Sequence, residues 1–204
     1  MTVTLYEGDL PDGLDLGSCV AIDSETMGLN PHRDRLCVVQ LSSGDGNAHL
    51  VQFKEGDGYQ APNLKKLLAD PSVEKLFHFA RFDVAILQKY LGVTCRPIYC
   101  TKIASKLVRT YTDRHGLKAL CSELLDVDLS KQQQSSDWGK STLTQAQLQY
   151  AASDVLYLHQ LRAILDGMLE REGRKDMAQA CFDFLPTRAQ LDLSGWPDVD
   201  VFSH

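Results

Sequence analysis

Three short apolar runs crowd the first quarter of the chain, SCVAID at 18–23, LCVVQLS at 36–42 and AHLVQF at 48–53, and they constrain the fold more than any other feature. They are rich in Val, Ile and Leu and separated by turn-forming stretches such as GDG, so they predict three strands joined as a meander. From residue 62 onward the pattern changes. NLKKLLAD and FDVAILQKYLG carry helical spacing, with the strand-like VEKLFHF between them, and PIYC is a short strand that leads into the helical TKIASKLVRTY. GLKALCSELLDV is helical again, and the longest helical periodicity runs through TQAQLQYAASDVLYLHQLRAILDGMLERE. Strands early and helices late predict an α/β chain, a mixed sheet flanked by helices. At 204 residues the chain fits a single domain spanning 1–204. Its end, residues 185–204, contains Pro and has no clear period. We expect an irregular tail there, docked through Leu193, Trp196 and Phe202 on the core or on a neighbouring subunit.

Composition removes several functional classes. No apolar run approaches the roughly 20 residues that span a bilayer, and the opening MTVTLYEGDLPDG has early acids and no basic segment followed by an apolar one. The chain therefore reads as a cytoplasmic protein. Six cysteines are scattered without a C-x-x-C pair, which disfavours a zinc site or a disulfide framework. A net charge of −6 argues against wrapping long nucleic acid by bulk attraction, yet leaves room for a small anionic ligand at a local site.

The first run ends in an unusual way. In VAIDSETMGLN, Asp23 and Glu25 stand one residue apart, and alternation along a strand points both to the same face. Two neighbouring carboxylates resist joint ionisation, and a strand end is an expensive place to bury them without a counter-charge. A hard divalent cation such as Mg2+ or Mn2+, which prefers carboxylate oxygen and water, answers that need. A third acid, Asp83, lies in HFARFDVAIL where a strand passes into a helix. A fourth, Asp154, follows Tyr150 by four residues, which puts phenol and carboxylate on one helical face. Taken alone, Asp23 and Glu25 read first as solvated turn residues, and Tyr150 has a core tyrosine as its alternative.

Taken together, the three segments resemble the three motifs of the DEDD superfamily of 3'→5' exonucleases: D-x-E after the first strand, H-x-x-x-F-D before a helix, and Y-x-x-x-D in a late helix. Gln149 occupies the position at which the sister subclass has His, so the tyrosine subclass is indicated. QQQSSDWGKSTLTQAQLQYAASDVLYL is similar to the corresponding part of ribonuclease D, and the small nano-RNase C enzymes are similar nearly end to end. The chain has no room after its third motif for the helical domains of ribonuclease D. The resemblance implies a ribonuclease H-like fold and two divalent cations, Mg2+ or Mn2+, held by Asp23, Glu25, Asp83 and Asp154. Asp23 would reach both ions, Glu25 and Asp154 the ion that binds the attacking water, and Asp83 the second, partly through water. It further implies an exoribonuclease that hydrolyses dinucleotides and other very short RNAs, assembled as a homo-octamer. A DNA exonuclease with the same acids, or a silent nucleic-acid-binding module, remains open.

Tyr150, with an ordinary pKa of about 10, is assigned to orienting the water rather than to strong base chemistry. Six further residues are candidates for substrate contact. Leu29 matches the leucine that in related dinucleotide-cleaving enzymes inserts between the bases, and reads otherwise as a turn residue. His78 can approach the substrate as a neutral donor or sit in the core. Lys102, Lys106 and Arg109 recur at helical spacing as a cationic stripe, followed by Arg114, and a solvated helix face explains such a stripe more often than phosphate binding does. Gln134 and Ser136 lie in the polar segment before the third motif, with Trp138 set to pack beneath it. Phe79 stands where the family often has Asn, which puts a polar contact at that position in doubt.

Overall fold

The computed structural model describes residues 2–130 and 132–204; Lys131, inside the SKQQQSSDW stretch, lies outside the described residues. Six strands form one mixed sheet in the order β1-β4-β3-β2-β5-β6, built from β1 Val3–Glu7, β2 Cys19–Thr26, β3 Leu36–Ser42, β4 Ala48–Gln52, β5 Glu74–Phe77 and β6 Ile98–Cys100. The expected meander is the antiparallel centre, β2 against β3 and β3 against β4. Parallel strands extend it at both edges, β5 beside β2, β6 beside β5, and β1 beside β4. The edge strand β1 was not expected. Its VTLYE alternates without an apolar run, and its register against Ala48–Gln52 comes from a partner far away in sequence.

Every residue of β3 is buried, so both faces of the sheet centre are covered. The covering elements are α1 Pro62–Ala69, α2 Ala80–Leu91, α3 Thr101–Val108, α4 Leu117–Leu125, α5 Gln145–Leu156, α6 Leu158–Arg171 and α7 Lys175–Leu193. α5 packs on β2, β3 and β4, while α2 packs on β2, β3, β5, β6 and α7. The long late periodicity is two helices, because the chain breaks at Tyr157 between α5 and α6.

The end of the chain departs from expectation. Residues 185–193 continue α7 despite Pro186, since Leu185, Pro186 and Ala189 are buried and Arg188 pairs with Asp192 one turn on, at 2.7 Å. Only residues 194–204 are irregular. They fold back on α7, with Arg188 donating to the carbonyls of Trp196 and Val199, and Phe202 packs on Phe184 at 5.8 Å between ring centroids. Arg81 of α2 joins the same corner, gripping Asp192 with two bonds of 2.7 Å and donating to the Pro197 carbonyl.

Candidate active site

β2 runs three residues past the expected end, to Thr26, so both motif acids lie inside the strand rather than in a turn. Its alternation gives Asp23 and Glu25 one face and Ser24 the other. Cross-strand pairing sets Asp23 opposite Gln40, a fully buried residue of β3 whose Nε2 donates to Asp23 Oδ2 at 3.2 Å. A register shift after Glu25 then releases the chain into the 27–35 loop. That loop is held by Asp34, which accepts from the Asn30 amide at 2.9 Å, and by the Tyr90 hydroxyl, which donates to the Asp34 carbonyl at 3.1 Å. Gly28 is required there, because a Cβ would sit 2.4 Å from Asp34 Oδ2. The result is a hydrogen-bonded turn that leaves Leu29 in solvent at 84% exposure.

Helix α5 delivers the other half of the site. Thr144 and Gln147 form a capping box, each satisfying the other's backbone amide, and Gln147 Nε2 also donates to Ser136 Oγ at 3.1 Å and to the Asp137 carbonyl at 3.0 Å. One buried glutamine therefore fixes both the start of the helix and the polar loop before it. Tyr150 and Asp154 follow on one face, with Trp138, 2% exposed, packed against Tyr150 at 6.0 Å between centroids.

These elements bring oxygens of Asp23, Glu25 and Asp154 within 4.8 Å of one another. Asp83, buried in the first turn of α2, stands outside that trio, and its Oδ1 accepts from Ser24 Oγ at 2.6 Å. Its charge still reaches them. Asp23 is raised well above the ordinary carboxyl range, first by burial and then by Asp83, Asp154 and Glu25; Glu25 is raised by burial, Asp154 and Asp83. Burial pushes Asp83 up to about 7 against the opposing Ser24 hydrogen bond, and Asp154 up to about 7 while the Tyr150 hydroxyl works in the other direction. Tyr150 itself is pushed up by burial and then by the field of Asp154, Glu25 and Asp23, so it stays protonated. Among the described residues, no lysine, arginine or histidine forms an ion pair with any of the four acids.

A cluster of hard oxygen donors, short of positive charge and costly to ionise together, fits a divalent cation such as Mg2+. The trio opens on a cavity of about 610 Å3, whose wall also includes Leu29, His78, Lys102, Gln134, Ser136 and Tyr150. Asp83 lies behind Ser24 rather than in that wall. Arg114 is not brought to the cavity: its exposed guanidinium pairs with Glu123 at 3.3 Å. The cationic stripe also breaks up, because Arg109 is fully buried. It pairs with Glu123 and donates to Ser105 Oγ at 3.2 Å and to the Arg114 carbonyl at 2.8 Å, a structural clamp on the 110–116 loop. His78 is held neutral, its pKa lowered to about 3 by burial and then by Lys102, with Nδ1 on Thr101 Oγ1 at 2.9 Å and Nε2 without a partner.

Residues 10–170 match the family described as 3'-5' exonuclease. The chain belongs to the 3'-5' exonuclease family. A ribonuclease D from Acidiphilium cryptum is 35% identical over 82% of this chain, and the chain spans less than half the length of the curated ribonuclease D relatives it matches. Brucella melitensis NrnC with bound Mg2+ superposes with a TM-score of 0.95 at 59% identity, covering the whole of both chains. The same protein bound to pGG superposes at 0.96 with 60% identity, over all of this chain and 99% of that one. The mixed sheet and its helices are thus the ribonuclease H-like fold of this exonuclease family.

Sequence reasoning missed the residues that hold the acids rather than the acids themselves. Gln40 was legible only through the register that sets it opposite Asp23, and Ser24 only once α2 is docked. Gln147 had a local signal, the T-x-x-Q of a capping box.

Proposed function

We propose that the chain is a metal-dependent 3'→5' exoribonuclease that hydrolyses dinucleotides and other very short RNAs to nucleoside 5'-monophosphates. The observation that carries this reading is the carboxylate trio without a cation partner, opening on a cavity of ligand size with the exposed Leu29 at its wall. The likeness to a Brucella protein bound to pGG supports the dinucleotide preference.

Asp23, Glu25 and Asp154 would hold the divalent cations, Mg2+ or Mn2+, with Asp83 supporting a second ion. Once bound, such ions acidify a water and stabilise charge on the attacking and leaving oxygens. The chain's own side chains do the rest. Gln40 and Ser24 fix the Asp23 and Asp83 carboxylates by donating to them. The protonated Tyr150 hydroxyl orients the attacking water and takes no proton from it. Water adds to the phosphorus of the last linkage, the bond from phosphorus to the 3'-oxygen breaks, and a proton passes to that 3'-oxygen. Leu29 separates the two bases, while Lys102, Gln134 and Ser136 face the phosphate and sugar. Neutral His78 meets the substrate without adding charge.

We assign the chain to the cytoplasm, where its six free cysteines stay reduced, and to a homo-octamer. The exposed Trp196, Val199, Val201 and Phe202 of the last segment support self-association, and light scattering at micromolar concentration checks it, with a monomer as the contrary result.

The deciding experiment is turnover of 5'-phosphorylated RNAs of two to seven nucleotides, with matched DNAs, in Mg2+ or chelator, by wild type and Asp23→Asn. We expect fastest cleavage of the RNA dinucleotide and none with chelator or in the variant. Undiminished turnover by metal-stripped protein would end the metal reading. A preference for DNA or for the longer RNAs would end the substrate assignment.

A further inference from the structure

Phe79 lies four residues before Asp83, at the N-cap of α2, with φ of 72° and ψ of 44°. This left-handed conformation is a genuine outlier for a bulky side chain, because Cβ crowds the following carbonyl. The only other non-glycine with positive φ among the described residues is Asp126, a residue type that tolerates the region and here ends α4.

Burial does not offset the strain at Phe79. Its carbonyl accepts from the Phe82 amide at 3.1 Å to open α2, a bond that needs no aromatic side chain, and the residue is 45% exposed rather than packed in the core. A strained backbone under a bulky side chain that stays out of the core points to a ligand. The location narrows the choice. Phe79, Leu29 and Phe82 all line the active-site cavity and also the adjoining cavity of about 530 Å3, so they stand on the boundary between the two. The Lys102 ammonium lies 4.1 Å from the Phe79 ring centroid, a cation–π contact that fixes the ring and places positive charge beside it. An apolar ring, a cation at its face and an exposed leucine at the same boundary match a planar aromatic group that carries a phosphate, which is a nucleotide.

We propose that Phe79 is a base-stacking residue of the substrate site: one nucleobase of the bound dinucleotide lies against its ring on the side toward Leu29, and the left-handed backbone is what aims the ring there. The inference rests on the dinucleotide-hydrolysing reading above. It turns the departure from Asn at this position into a gain of stacking surface.

The test compares wild type with Phe79→Asn and Phe79→Leu on three 5'-phosphorylated RNA dinucleotides: complete pGG, and analogues lacking the base at the 5' or at the 3' position. Stacking of a base on an aromatic side chain corresponds to a loss of about 5- to 150-fold on its removal. We expect a fall of that order in kcat/KM on pGG, carried mainly by KM, which shrinks to less than about twofold on one of the two abasic substrates. Asn tolerates the left-handed region, so Phe79→Asn should keep or raise the wild-type Tm, which a structural role for the ring would not allow. An unchanged kcat/KM on pGG, an equal loss on all three substrates, or a drop in Tm or oligomer size would overturn the proposal. Failure of the wild type to cleave pGG would instead remove the reading beneath it, and the proposal with it.

Discussion

Stripping the divalent ion should leave a protein that loses stability as pH rises from about 4 toward neutrality. Asp83 titrates near 7 in the folded chain against an ordinary 3.8, and Asp154 is raised to about 7 as well. A carboxyl raised on folding binds its proton more tightly in the native than in the unfolded state. Between about pH 4 and pH 7 the native state therefore carries more protons, and stability falls as pH rises across that window. For buried Asp83 the difference of about three pH units corresponds to about 4 kcal/mol. Asp154 adds less because it is partly open to solvent, and Asp23 and Glu25 push in the same direction. For a chain of this size, 4 kcal/mol is a fall in Tm of roughly 8–16 °C. Thermal melts of chelator-treated protein between about pH 4 and pH 7 read it directly. Excess Mg2+ should abolish most of the slope, and Asp83→Asn should flatten it in metal-free protein. A metal-free Tm that stays level or climbs over this range, or a slope unaffected by Mg2+, would refute the electrostatic account.

Gln40→Leu removes the donor to Asp23 together with the partnerless Oε1, so the fold should survive, while Mg2+ affinity by calorimetry falls roughly 10- to 100-fold; unchanged affinity would show Asp23 needs no such support. Tyr150→Phe should lower kcat by roughly 10- to 100-fold through misplaced water, with the pH–rate profile keeping its shape up to about pH 9. A lost limb in that profile would instead mark Tyr150 as a base. Gln147→Leu loses the capping box and two loop hydrogen bonds and should cost roughly 1–3 kcal/mol in denaturant unfolding, with a raised KM as the 136–137 segment loosens; wild-type values of both would contradict its double role.

The sheet centre was legible because β2, β3 and β4 are contiguous apolar runs, and buried strands must read that way. β1 was not, since VTLYE is an edge strand whose place depends on pairing with Ala48–Gln52. The last helix was missed because Pro186 and scattered charges mask its period. Its support comes from Arg81 and Arg188 converging on Asp192, contacts that exist only after α2 and α7 meet. The same distinction holds within the site. Asp23, Glu25, Tyr150 and Asp154 announce themselves by spacing along a strand and a helix. Lys102 and Arg109, seven residues apart at the start of one short helix and just past its end, looked alike in sequence, yet one lines the cavity and the other is buried against Glu123.

A buried cluster of acids can be made tolerable by a fixed cationic side chain or by a bound cation, and among the described residues no fixed cation pairs with these four. An arginine or lysine beside Asp23 would neutralise the site permanently, hold the carboxylates ionised and stabilise the metal-free fold. It would also fill the space and cancel the charge that a divalent ion requires. The contacts the acids receive come from neutral donors instead, the Gln40 amide and the Ser24 hydroxyl, which fix carboxylate orientation and leave the charge uncompensated. The lysines that line the cavity are turned to other tasks, Lys102 to the Phe79 ring and Lys118 to Asp128. Orientation without neutralisation is a poor solution for stability and a good one for an ion-binding site, because the free energy withheld from folding becomes available to binding.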